Sequence, residues 1–454
     1  NTSGSINFSL DDQYIFYSKL DENHRPRSIF RHQIGSSSNE DLLIFEEKTK
    51  AFTVSIGISS DEKYYFINSS DHNTSEKYYF GIDEKKPKPK LIQQRKKGII
   101  YSVNSWGGNF YMHTNEDAED FKILISSNIE SKIWKTYIPS QSETMIGNLT
   151  FLNNWQIRSE LKNALDKIYV KNLKTNKEEE IIFTEETVYD SSVSLMQRDR
   201  KTDDIYISYS TPKTPSRTFI YNLKTKEKKL VKEQIIPSGH NSNDYIVERL
   251  ECEGHDGRII PITITRKKTT KLDGNSNLLL YGYGSYGNSM WPSFSSTRLS
   301  LINRDIIWAT AHIRGGMERG MKWWKEGKLL NKKNTFQDYI SCAKFLIDKK
   351  YTSKKKIIGM GGSAGGLLMG AVVNEKPDLF LGMIMAVPFV DSLTTNLDHS
   401  LPLTIGEFDE FGNAKDNKEH FDYIYSYAPY NLSLIHISEP TRLRRISYAV
   451  FCLK

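Results

Sequence analysis

Apolar and polar positions in the first half of the chain alternate in short aromatic segments: Tyr14-Ile-Phe-Tyr17, Tyr64-Tyr-Phe-Ile67, Asn109-Phe-Tyr-Met112, Asn154-Trp-Gln-Ile157 and Asp204-Ile-Tyr-Ile207. Their starts are 50, 45, 45 and 50 residues apart. Each is followed by a second strand-like segment: Ser28-Ile-Phe30, Tyr78-Tyr-Phe80, Lys122-Ile-Leu-Ile125, Lys167-Ile-Tyr-Val170 and Thr218-Phe-Ile-Tyr221. Polar turns such as Asn172-Leu-Lys-Thr-Asn176 and Asn222-Leu-Lys-Thr-Lys226 close the repeats. A period of two marks half-buried strands, and strand pairs recurring at this interval predict the blades of a β-propeller. A β-sandwich of irregular hairpins is the alternative. About five blades are visible over residues 1–235, the first starting at the first residue, so the expected ring is cut at its N-terminus.

From Tyr245 the period changes. Tyr245 to Leu250 and Arg258 to Ile264 predict a hairpin around Gly254-His-Asp-Gly257. Leu278 to Tyr281, Ile306 to Ala311, Lys356 to Met360 and Leu381 to Val387 read as buried strands. Asn334 to Lys349 is an amphipathic helix with Phe336, Ile340, Ala343 and Ile347 on one face, and Asn334 or Thr335 is placed to cap it. A second helix covers Leu367 to Val373. Strands alternating with helices predict a parallel, doubly wound sheet. The expected organisation is therefore a partial β-propeller over 1–240 and an α/β-hydrolase domain over 241–431.

Bulk composition agrees and narrows the classes. At 454 residues two domains are expected. The 25 Tyr and 21 Phe supply much of the core. The net charge of +7 is mild for this length and its cations are scattered, which excludes a nucleic-acid stripe. The three cysteines, Cys252, Cys342 and Cys452, show no zinc-ligand or disulfide spacing, so a reducing, cytoplasmic setting and no metal are expected. The apolar runs are too short to span a bilayer, so no membrane partner is expected. No signal peptide is read, and a chain that starts at Asn1 is expected to have its true start upstream.

The chemistry is carried by Met360-Gly-Gly-Ser-Ala-Gly-Gly366, which joins the strand at 356 to the following helix. Gly361, Ser363 and Gly365 satisfy G-x-S-x-G. A serine on so sharp a turn projects its hydroxyl from the sheet, and glycines stand where side chains would strike the neighbouring strand and helix. The turn leaves the Ala364 N–H at a helix N-terminus, where it can face a developing oxyanion. The loop Tyr281-Gly-Tyr-Gly-Ser-Tyr-Gly287 follows another strand at the place where hydrolases of this fold keep a second oxyanion donor. Tyr283 offers a hydroxyl there, although from its setting alone it reads equally as a packing aromatic.

These two segments, with Ala311-His-Ile-Arg-Gly-Gly316, Lys333-Asn-Thr-Phe-Gln-Asp-Tyr339, Asn374-x-x-Pro-Asp-Leu-Phe380, Val387-Pro-Phe-Val-Asp391 and Pro402-Leu-Thr404, occur in an order that resembles the prolyl oligopeptidase family of serine peptidases. Val387-Pro-Phe-Val-Asp391 and Gly406-Glu-Phe-Asp-Glu-Phe-Gly-Asn413 resemble its oligopeptidase B branch. The resemblance covers about residues 6–431. It implies a seven-bladed propeller capping an α/β-hydrolase, short peptides as substrates, and no cofactor. It implies Ser363 as nucleophile, Tyr283 and the Ala364 N–H as oxyanion hole, and Glu407 and Asp409 as readers of an Arg or Lys side chain. A carboxylate pairs well with guanidinium out of bulk water, although three acids within 407–410 read from spacing alone as a solvated loop. Three departures stand out. Met317 replaces a glycine, Trp291-Pro-Ser-Phe294 stands where bacterial relatives carry acids, and Phe411 replaces a tryptophan. The second departure puts a preference for a second basic residue in doubt. Oligomeric state is not legible.

A serine needs a base and the base an orienting acid, in the chain order Ser, Asp, His. The resemblance places both well beyond the strand at 381–387, and the triad Asp and His are read as absent from this chain. Asp391 reads as a cap or loop anchor, and His399 and His420 as surface or loop histidines. Leu432 to Lys454 resembles a translated sequencing-adapter peptide and is expected to be non-native. Excluding its four cations and one anion lowers the net charge from +7 to +4. The chain as it stands is expected to be inactive, and poorly stable because an open sheet edge and a gapped propeller expose apolar surface. An esterase sharing the Ser363 elbow and a non-catalytic propeller scaffold are the alternatives.

Overall fold

The computed structural model describes residues 2–183, 186–196, 200–433, 438–439 and 448–452. Among them the first half forms five four-stranded sheets in which each strand lies beside its neighbour in sequence. Every predicted repeat is one sheet. The aromatic segments are the second strands, Tyr14–Leu20, Tyr64–Ser70, Asn109–Thr114, Trp155–Lys162 and Asp204–Ser210. The segments after them are the third strands, Pro26–Gln33, Ser75–Gly81, Lys122–Ser126, Leu165–Asn172 and Arg217–Asn222. These central strands show the alternation because one face of each packs inward; Tyr64–Ser70 alternates buried and half-buried positions without a break. Fourth strands such as Lys228–Glu233, exposed along its whole length, carry no such signal.

The chain divides into two compact units. The first comprises Asn1–Ser142, Ile146–Phe151 and Asp398–Asp409. Its core joins the first two sheets through Phe16, Ile29, Val54, Tyr65, Ile67 and Phe80. The second comprises Glu143–Met145, Leu152–Leu397 and Glu410–Lys454. It holds a core of Trp155, Ile157, Ile168, Val170, Ile205 and Ile207 from the later sheets, and a large mixed sheet.

That mixed sheet starts with the predicted hairpin, Tyr245–Glu253 against Ile259–Lys267. Ile307–Ala311 follows antiparallel to Ile259–Lys267. Leu278–Tyr281 then lies between Ile307–Ala311 and Ile357–Gly362, and Phe380–Ala386 pairs with Ile357–Gly362, all parallel. The order of these strands in space differs from their order in sequence, as expected of a doubly wound sheet, whose ligands bind outside the carboxyl ends of the strands. Of the tail, Leu432 and Ser433 and the backbone of Ser438–Glu439 and Tyr448–Cys452 are described; Tyr448–Cys452 pairs antiparallel with Phe380–Ala386. His436 lies outside the described residues.

Helix Lys333–Asp348 buries Phe336, Ile340, Ala343 and Leu346 against the sheet, with Ile347 half-buried at the edge of the same core. The predicted cap is not formed. Lys332 occupies the cap position, and its side chain makes no capping bond to the helix end. The Thr335 hydroxyl instead donates to the carbonyls of Arg314 and Gly327, and the Asn334 amide to that of Glu326. Both residues pin the preceding loop rather than the helix end. Helix Ala364–Glu375 runs longer than predicted and is buried on every side from Ala364 to Val373. Among the described residues no helix is long and apolar enough to cross a membrane.

Replacing the fully buried Leu346 with Ala is expected to cost about 2–5 kcal/mol of stability, whereas Lys344→Ala on the exposed side of the same helix should change it by about 0.5 kcal/mol or less. Urea denaturation followed by tryptophan fluorescence checks both, and equal losses would contradict the assigned faces.

Candidate active site

Strand Ile357–Gly362 delivers the chain to Ser363, which adopts φ 54° and ψ −118° before helix Ala364–Glu375 begins. A positive φ is costly for a residue with a Cβ and persists only where the surroundings enforce it. Here the Ser363 N–H donates to the Ala386 carbonyl at 2.9 Å. Its own carbonyl accepts from Gly366 at 2.8 Å and Phe389 at 3.0 Å. A Cβ on Gly361 would overlap the Gly365 carbonyl, and one on Gly365 would come within 3.0 Å of the Gly282 carbonyl. The glycines of the motif are therefore set by close backbone approach. Ser363 is exposed at the tip and Ala364 is buried beneath it. As the first helical residue, Ala364 has an N–H without an intrahelical acceptor, on the positive end of the helix dipole.

Tyr283 reaches the same place from the loop after Leu278–Tyr281. Its phenol lies beside the side chains of Asn288 and Ser363. Burial pushes the phenol above its ordinary value, and these two polar neighbours act the other way. The phenol thus stays a proton donor at neutral pH. Ser363, expected as the nucleophile, is thus brought together with Tyr283 and Ala364, expected to form the oxyanion hole.

The floor of this loop is close-packed. Gly284 sits at φ +71°, where a Cβ would strike the Thr335 methyl and lie 3.0 Å from the Arg314 carbonyl. A Cβ on Gly315 would overlap the Gly284 carbonyl. Arg314, 1% exposed, fixes Gly315. Its Nε and backbone N–H donate to Asp338 Oδ2 at 2.8 and 3.0 Å, and its Nη1 donates to Asp256 Oδ2 at 2.6 Å. His255, Asp256 and Asp338 bring ligand-type atoms within 4.8 Å of one another. The guanidinium bonded to both carboxylates already supplies the cation there.

A cavity of about 460 Å³ adjoins Tyr283, with apolar walls from Met145, Leu161, Met290, Trp291 and Met317. Met317, one of the departures noted above, packs on Gly287, where a Cβ would overlap its side chain. Behind the wall the fully buried Glu318 accepts the Met290 N–H at 2.8 Å, and burial pushes its carboxyl up to about 7.

The other expected residues are placed as follows. Asp391 Oδ1 accepts the Thr394 N–H at 3.4 Å at the head of helix Ser392–Leu397, which is a cap. His420 Nδ1 accepts the Asn413 N–H at 3.0 Å, and the His399 ring meets Phe408 edge-on. His312 is fully buried, its Nε2 2.7 Å from the Thr263 hydroxyl. Among the described residues no histidine hydrogen-bonds Ser363. Glu407 and Asp409 belong to the first compact unit. There the Asp71 carboxyl is raised by burial, with the negative charge of Asp409 adding to it. Glu410, the third acid of that run, is instead buried and takes the Trp324 indole N–H at 2.8 Å. Sequence reasoning missed Asn288 and Asp71. Asn288 lay within reach, five residues beyond Tyr283; nothing local could have linked Asp71 to Asp409.

Comparison with known proteins agrees with this geometry. The model of the prolyl oligopeptidase family matches residues 292–441. That of the prolyl oligopeptidase N-terminal β-propeller domain matches residues 1–234. Protease 2 of Moraxella lacunata is 36% identical over 430 residues, covering 94% of this chain and 61% of that protein. Dipeptidyl aminopeptidase BI of Pseudoxanthomonas mexicana is 34% identical over 441 residues, covering 95% and 60%. Oligopeptidase B from Trypanosoma brucei with covalently bound antipain superposes with a TM-score of 0.91 at 31% identity, covering 95% of this chain and 62% of that one. Oligopeptidase B from Leishmania major gives 0.89 at 30% identity, covering 95% and 61%. The chain spans about 60% of the length of the curated relatives it matches. The propeller model spans the five sheets of the first half and the peptidase model spans the serine elbow, and the chain belongs to the prolyl oligopeptidase family.

Proposed function

We propose that the protein is a serine-type oligopeptidase that hydrolyses short peptides after Arg or Lys. One observation carries the reading: an exposed serine at positive φ, with a helix N-terminus behind it and the Tyr283 phenol beside it. Ser363 Oγ attacks the scissile carbonyl carbon, its proton passing to a histidine base. Tyr283 O–H and the Ala364 N–H hold the resulting oxyanion. The C–N bond then breaks, the leaving amine takes that proton, and water hydrolyses the acyl-enzyme by the same route in reverse. The histidine and its aspartate are proposed to come from residues this chain does not contain. The observed partners of His312 and His420 support that, and the chain as given is proposed to be inactive. The propeller-type sheets ahead of the elbow favour a peptidase over an esterase.

Glu407 and Asp409 are proposed to bind the basic side chain. The negative charge shared between Asp409 and Asp71 supports a cation there. The cavity beside Tyr283 has no carboxylate among its lining residues, so no second basic residue is assigned to the substrate. Two buried free thiols, Cys252 and Cys342, fit the proposed cytosolic setting.

Protein expressed from the complete reading frame, assayed on Arg, Lys and Pro peptide substrates, tests the proposal. Turnover after Arg and Lys is expected to be abolished in Ser363→Ala. Tyr283→Phe should lower kcat about 10²- to 10³-fold with KM nearly unchanged. A preference for Pro, or ester hydrolysis without peptide hydrolysis, would overturn the assignment. Asp409→Asn and Glu407→Gln should each lower kcat/KM for Arg substrates about 10- to 100-fold. Losses that fall equally on neutral substrates would remove both acids from substrate recognition.

A further inference from the structure

Lys332 is only 1% exposed, and so is Glu410. The Lys332 ammonium donates to the Gly284 carbonyl and to the Ser285 hydroxyl, each at 2.6 Å. Glu410 Oε1 lies 3.6 Å from it, while Oε2 takes the Trp324 indole N–H. The ammonium also lies 5.5 Å from the centre of the Phe411 ring, and Tyr286 packs edge-on against that ring at 5.7 Å. Burial pushes Lys332 down to about 8, with the attraction of Glu410 opposing the fall.

A buried ion pair of this kind is weak evidence for stability, because apolar residues of similar volume often serve as well or better. Its bonds show what it grips instead. Gly284 and Ser285 directly follow Tyr283, and Lys332 holds the first by its carbonyl and the second by its hydroxyl. Thr335 and Gly315 already confine Gly284 from two sides, and Lys332 closes a third. Rotating this segment would swing the phenol away from Ser363, and a donor displaced by about 1 Å can lose its catalytic value.

We infer that Lys332, held in place by Glu410, is a positioning residue that aims the Tyr283 hydroxyl at the oxyanion. The inference rests on the peptidase reading above. Lys332 touches no substrate and acts through the loop.

The test is a double-mutant cycle in protein from the complete reading frame, with amide hydrogen exchange over residues 281–287. Lys332→Met is expected to lower kcat about 10- to 100-fold, a share of what a lost oxyanion donor costs, with KM nearly unchanged. Residues 284–287 should exchange faster. Combined with Tyr283→Phe, the same change should cost about twofold or less, because the donor it aims is gone. Equal losses in both backgrounds, or unchanged exchange, would overturn the inference. If Lys332→Met does not fold, Ser285→Ala carries the same cycle. It removes one of the two bonds and should lower kcat only when Tyr283 is present; a loss of equal size beside Tyr283→Phe would count against the inference. Failure of the peptidase reading shows separately, as absent turnover or turnover that survives Ser363→Ala. The exchange rates of Lys332→Met then decide the tether by themselves.

Discussion

The backbone of Ser363 stands at φ 54°, and that conformation governs much of what surrounds it. A side chain in the left-handed region survives only when neighbours leave the chain no alternative. The neighbours here are the Ala386 carbonyl on one side and the N–H groups of Gly366 and Phe389 on the other. Bringing them so close demands that Gly361, Gly365 and Gly366 carry no side chain, since a Cβ on Gly366 would lie 2.5 Å from Pro388. The helix that follows is apolar from Ala364 to Val373, where its neighbours cover it on every side. One strained residue thus accounts for the three glycines around it.

The tyrosine loop obeys a second constraint of the same kind. Its glycines are fixed by the Arg314 clamp beneath and by Thr335 beside it. Arg314 is held by two carboxylates, one of them fully buried, so the floor cannot shift without exposing or unpairing a charge. Close-packed backbone on both sides brings the Tyr283 phenol beside Ser363 at the start of the helix. Preorganised donors of this sort need no rearrangement as charge develops.

Much of this was legible in sequence because it depends on local pattern. Alternation exposed the two central strands of every blade, and the change of period at Tyr245 marked the mixed sheet. The fourth strands escaped because their solvent-facing residues read as polar turn; Lys228–Glu233 is wholly exposed. The elbow was legible because glycine spacing reports a steric need. The cap assigned to Asn334 or Thr335 failed because a threonine hydroxyl near a helix start reads the same whether it serves the helix or a distant carbonyl. Lys332 and Glu410 were illegible as a pair, since a lysine beside another lysine and a glutamate among acids both read as solvated surface. Only the fold, which joins positions 78 residues apart, buries them together.

The central claim is that Ser363 is an activated nucleophile, and covalent labelling tests it most directly. Protein from the complete reading frame would be treated with a fluorophosphonate, digested and mapped by mass spectrometry. The account predicts a single phosphonyl adduct, on the peptide containing Ser363 and at its hydroxyl. A folded protein that takes up no label, or takes it on a different residue, would contradict it.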